Sequence, residues 1–200
     1  MGKKSEISRF VGKKIRMLQA EEERGAGKAM MADLRRGIGH EPGELPQLFG
    51  MVLLDMPQEF MSESGIATRE EWSCYMALTL YAMHQQGFDW KDRPMHVKEG
   101  GSIGRALAKM AKTSDDANAD KRALQRLQAF ATSIDMKEAF YHLKSLIQLL
   151  RSKGISIDYE ALAADLYDFQ YADGKKRVNL RWGQDFYLEK GKKETEEDIS

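Results

Sequence analysis

The chain has 200 residues, 42% of them hydrophobic, with 31 basic side chains against 31 acidic ones. That length can bury a sizeable core, and the balance of charge excludes a large field of one sign. Cys74 is the lone cysteine, so an internal disulfide and a multi-cysteine metal site are excluded and a reducing compartment is expected.

No apolar run approaches the roughly 20 residues of a membrane span. The early lysines lead into no apolar stretch of a secretory signal. Glu6 stands where N-myristoylation at Gly2 would need Ser or Thr. A cytoplasmic protein is the expectation.

Residues 5–22 place Phe10, Val11, Ile15 and Leu18 at helical spacing, with Lys13, Lys14 and Arg16 expected on a solvated face. A second helix, 28–36, ends at Gly37 and Gly39. Its last turn carries Arg35 and Arg36, where cations offset the helix dipole. Gly37-Ile38-Gly39 has half of a dinucleotide fingerprint, but no third glycine follows and no strand precedes it. Pro46 opens a further helix bearing Leu48, Phe49, Val52 and Leu53. Thr68 and Glu71 have capping-box spacing ahead of a long apolar helix with Trp72, Tyr75, Met76 and Leu78, the expected central strut of the N-terminal half. Cys74 on that helix reads as a small core residue, and His84 at its end as a cap or surface group.

The pattern breaks between Gly87 and Gly101, a loop expected to be a domain boundary or a long crossover. Ser102 is placed to cap the next helix, in which Ile103, Leu107 and Met110 share one side and Arg105, Lys109 and Lys112 the other. After a polar spacer expected to be mobile, Leu124, Leu127 and Phe130 oppose Arg122, Gln125 and Arg126. Asp135 and Glu138 open another helix, Gly154 ends it, and Asp158 starts the next. Asp173-Gly174 reads as a turn, and 178–187 as a last helix or irregular segment anchored by Trp182 and Phe186. No run alternates like a strand. The expected fold is therefore all-α, two packed helical bundles of about eight or nine helices. The expected bounds are 1–98 and 99–188, with 189–200 a disordered acidic tail.

Little here meets the needs of a catalyst. The neighbouring carboxylates, such as Glu21–Glu23 and Asp115–Asp116, fall on exposed or polar segments, where nothing raises a pKa for acid catalysis. His40, His84, His96 and His142 lack metal-binding spacing, and no phosphate-binding Lys-Ser/Thr loop occurs. No enzyme activity, metal or cofactor is expected. Gly101-Ser102-Ile103-Gly104 has the GxxG spacing of a KH loop without its flanking strands. It could instead expose the first amides of a helix to a phosphate. Two classes remain open: a binder of nucleic-acid backbone, and a helical protein-interaction scaffold, which net neutrality favours.

Several segments together carry a resemblance. Gly101 to Leu107, Arg35-Arg36 before a glycine- and proline-rich turn, Leu150 to Tyr159, and Trp182 to Tyr187 resemble the CasB family, the small subunit of the type I-E CRISPR Cascade complex. The resemblance runs from about Arg35 to Tyr187. It implies a non-catalytic helical subunit, two copies of which lie head to tail beside the guide RNA and target DNA, stabilise the R-loop and help hold the displaced strand. It implies the other Cascade subunits as partners. Transferred to this chain, the backbone-binding residues are Arg35, Arg36, Arg105, Lys109, Arg122, Arg126, Lys144 and Arg151. Such a role needs cations along a backbone and no reading of bases, since guide pairing supplies the sequence.

Overall fold

In the computed structural model, described for residues 2–114 and 116–192, the chain is all-α. Nine α-helices occur among these residues: α1 Lys3–Glu23, α2 Gly27–Arg36, α3 Phe49–Val52, α4 Arg69–His84, α5 Ile103–Lys112, α6 Ala119–Ala131, α7 Met136–Lys153, α8 Tyr159–Phe169 and α9 Ala172–Gly191. The backbone pairing of His96 with Ile157 is an isolated bridge, not a sheet.

α4 is apolar on all sides and is buried from Ser73 to His84, as a helix without a polar stripe must be. Its start is fixed by the capping box: Glu71 N donates to Thr68 Oγ1 at 3.0 Å and Thr68 N to Glu71 Oε2 at 2.7 Å. Around this strut pack α1, α2, α7 and α8, while α5 lies against α6 and α9. One apolar core runs from Ile7 to Phe186. It crosses residue 98 without a break, because α1 lies along α8 and α4 touches both α7 and α8. Phe130 stacks on Trp182 at 4.9 Å and meets Phe169 at 4.5 Å, joining α6, α8 and α9.

Several local expectations change. Lys14 is not on the solvated face: it is 2% exposed, on the α1 face turned toward the core, with its Nζ 5.4 Å from the Phe10 ring and no hydrogen-bond partner among the described residues. His84 is also a core residue, with Nδ1 3.0 Å from the Tyr159 hydroxyl. Burial holds its pKa down at about 4, so the ring is neutral. Cys74 is buried as expected, and burial pushes its thiol upward, away from reactivity.

Asp173 and Gly174 do not turn the chain; they lie inside the first turn of α9, and the bend precedes them at Gln170–Tyr171. Gly174 is glycine for another reason: a Cβ there would stand 2.0 Å from the Asp168 carbonyl oxygen. α9 also reaches Gly191, past the expected start of the acidic tail; residues 193–200 and Asp115 lie outside the described residues.

Candidate nucleic-acid interface

The connection from α4 to α5 is ordered by one buried amide. Gln85, 3% exposed, donates from Nε2 to the carbonyls of Phe88 (3.1 Å) and Arg93 (3.2 Å) and accepts the Met95 amide at 2.8 Å. The residues it encloses, Gln86–Arg93, therefore form a fixed turn at the C-terminal end of α4.

Two helix C-termini meet this turn. Arg35 lies in the last turn of α2 and Arg151 in the last turn of α7. Arg151 Nε donates to the Gln86 carbonyl at 2.9 Å. Burial lowers the pKa of Arg35, and the neighbouring Arg151 charge lowers it further. The carbonyl ends of the two helices favour cations, yet neither arginine forms an ion pair with a carboxylate among the described residues. Arg93 joins them, donating to the Lys153 carbonyl at 3.3 Å with its guanidinium 4.8 Å over the Phe88 ring.

The eight basic residues expected at a site fall into two groups. Arg36 pairs with Asp33 at 2.5 Å, Arg122 with Asp116, and Arg105 reaches Asp185 at 3.8 Å and Glu189 at 3.9 Å. The others, Arg35, Lys109, Arg126, Lys144 and Arg151, form no such pair among the described residues. Lys109 and Arg126 are exposed on α5 and α6, and Lys144 lines a cleft on α7 with Lys137, His40 and Glu44. Arg35 and Arg151 are the two that border the turn after α4, Arg35 beside Gln86 in a common cleft and Arg151 on the Gln86 carbonyl.

Two of the three cations of α5, Arg105 and Lys112, are engaged by α9, and Lys109 is left exposed. Asp185 and Glu189 of α9 lie beside Arg105, and Lys112 donates to the Glu189 carbonyl, while Lys190 of α9 pairs with Asp120 of α6. The start of α5, expected to offer free amides to a phosphate, has a carboxylate of the chain already in place: Ser102 Oγ donates to Asp185 Oδ2 at 2.6 Å and accepts the Arg105 amide at 3.3 Å. The GxxG spacing serves helix packing, because a Cβ on Gly104 would stand 1.8 Å from the Trp182 carbonyl oxygen.

Phe88 and Arg93 fall in the stretch between Gly87 and Gly101, where no helical periodicity marks them. The interleaving of Phe88, Trp90, Lys91 and Arg93 was an available signal, since aromatic and cationic side chains alternate in single-strand binders. Among the described residues no group of three His, Cys, Asp or Glu side chains could hold a metal ion, and no helix is long and apolar enough to cross a membrane.

The model of the CRISPR-associated protein Cse2 family matches residues 30–187, most of the chain. This chain belongs to the Cse2 family. Its fold is similar to that of CasB from Thermobifida fusca, with a TM-score of 0.72 and 28% sequence identity over 90% of this chain and 97% of that one. No curated protein sequence gives a match. The Cse2 match begins within α2, so both arginines of the α2–α7 junction lie inside it, whereas α1 precedes it.

Proposed function

We propose that the chain is the small subunit of a type I-E Cascade complex and holds nucleic-acid backbone on the cationic junction of α2, α7 and the α4–α5 turn. In this role it stabilises the R-loop and the displaced DNA strand, in the cytoplasm, and catalyses no reaction. Its partners are the other Cascade subunits, the guide RNA and target DNA, and a second copy of itself. The observation that carries the reading is that Arg35 and Arg151 border the same turn, Arg35 lining the cleft that Gln86 also lines and Arg151 donating to the Gln86 carbonyl, with neither in an ion pair with a described carboxylate. Like charges placed side by side cost free energy, and a bound phosphate removes that cost. Lys109, Arg126 and Lys144 extend the reading to further exposed positions, while Arg36, Arg105 and Arg122 act first through their carboxylate partners.

The test is charge reversal of Arg35 and Arg151 together, read by R-loop formation in the reconstituted complex and by the salt dependence of single-strand binding. Wild type should lose affinity with a log–log slope of about −0.7 per phosphate neutralised, and the variant with a shallower one. R-loops formed as well by the variant as by wild type would remove the junction from the interface.

A separate observation favours protein contact on another face. Phe49, Leu54 and Ile66 are exposed, and the first borders an apolar cleft that Leu48, Val52 and Tyr75 also line. Such a patch suits a protein partner. Co-purification separates the readings: guide RNA with several Cas subunits supports the first, protein partners without nucleic acid the scaffold.

A further inference from the structure

Beside the arginine junction is a cavity of about 430 Å³, between α2 and the turn after α4. Lys28 and Arg35 line it from α2, Gln86 and Phe88 from the turn, with Glu22 and Asp89 also on its wall. Its chemistry differs from that of a plain phosphate groove. Phe88 is half-buried, and Arg93 sits against its ring at 4.8 Å, so the aromatic side chain is braced in place rather than free to swing. The backbone behind it is held by Gln85. Gln86 is exposed, and its side-chain amide has no described partner. An aromatic wall, a free amide, two carboxylates and two cations are more than a sugar–phosphate backbone uses.

We propose that this cavity takes one unstacked nucleobase of a single strand whose phosphates lie on Arg35 and Arg151. The base stacks on Phe88, Lys28 meets the adjoining phosphate, and the carboxylates of Glu22 and Asp89 accept from an exocyclic amine. Stacking of this kind tolerates sequence, because every base has a π-face. The inference rests on the backbone-binding reading and adds to it a contact that phosphates alone cannot make.

The test compares a cytosine dodecamer with a dodecamer of abasic sites, which keeps the phosphates and lacks the bases, on the wild-type full-length chain. The cytosine strand should bind about tenfold more tightly. Phe88→Leu, shown to be folded by thermal melting, should erase that preference and keep the salt slope. Arg35→Ala should weaken both oligomers alike and make the slope shallower. Equal binding of the two oligomers by wild type, or a preference that survives in Phe88→Leu, overturns the cavity and leaves the backbone reading standing. Failure of wild type to bind either strand overturns both. The wild-type comparison needs no variant, so a Phe88 substitution that fails to fold does not protect the proposal.

Discussion

Substituting Gly104 by alanine tests the close approach of α5 to α9. The added Cβ would lie 1.8 Å from the Trp182 carbonyl oxygen and 2.7 Å from its carbonyl carbon, both backbone atoms that no rotamer change can move. α5 and α9 must separate, loosening the contacts of Trp182 with Phe130 and of Asp185 with Ser102. Overpacking against backbone costs about 3 kcal/mol at the upper end of its usual range, and the gain in helix propensity returns about 1 kcal/mol. The net loss is about 2 kcal/mol, which for a domain of this size lowers Tm by about 4–8 °C. Gly183 is the control: it lies on α9 next to Trp182, and a Cβ there meets nothing within 4 Å. Gly183→Ala should therefore raise stability, by about 0.5–1 kcal/mol. Both variants are read by urea denaturation and thermal melting. If Gly104→Ala gains stability as Gly183→Ala does, the close approach of α5 and α9 is not what holds this half of the protein together.

Three further outcomes follow from buried polar groups. The folded-state pKa of His84 is about 4 against an ordinary 6.5, so its contribution is complete above pH 6.5 and is lost as pH falls toward 4, for a total of about 3 kcal/mol. Denaturation midpoints of wild type should drop over that window and those of His84→Gln should drop less; parallel curves would clear His84 of the effect. Lys14 has a buried, unpartnered Nζ, and Lys14→Met should stabilise the fold by about 1 kcal/mol by removing a desolvated polar group, whereas a lower Tm would mean that its contact with Phe10 outweighs that cost. Asp165 accepts the Trp182 indole N–H at 2.7 Å and pairs with Arg181. Asp165→Ala leaves that buried donor unsatisfied at a cost of about 1–3 kcal/mol, and a shift in tryptophan emission should accompany the loss; unchanged stability and emission would refute the contact.

What could be read from the sequence was local. The Thr68–Glu71 box and the caps Ser102, Asp135 and Asp158 each satisfy an amide three residues on, and a code of that range survives in one dimension. Gly174 was misread because glycine signals a turn and a close approach equally well; only the position of the Asp168 carbonyl decides between them. His84 and Tyr159 are 75 residues apart in sequence, and Ser102 and Asp185 are 83 apart, so neither partnership leaves a mark on local spacing. Lys14 followed helical periodicity off the expected face, since α1 is covered by α8 as well as by α2 and α4. The candidate site shows the same division. Arg35 was visible as a basic residue at a helix end and Arg151 only through the family resemblance, and their placement at one turn depends on the tertiary packing of α2 and α7 around α4.

The ion pairs that α9 makes with α5 and α6 change what electrical neutrality means for this chain. Asp185, Glu189 and the Lys190–Asp120 pair cancel charge at short range within one face, while Arg35 and Arg151, elsewhere, form no ion pair with a described carboxylate. A body with zero total charge feels little pull from a distant polyanion, but a separated charge distribution feels a torque. A strand approaching within a Debye length, about 8 Å at physiological salt, would rotate the molecule before attracting it. On the proposed backbone-binding reading, its orientation on the strand is therefore set earlier in the encounter than its affinity.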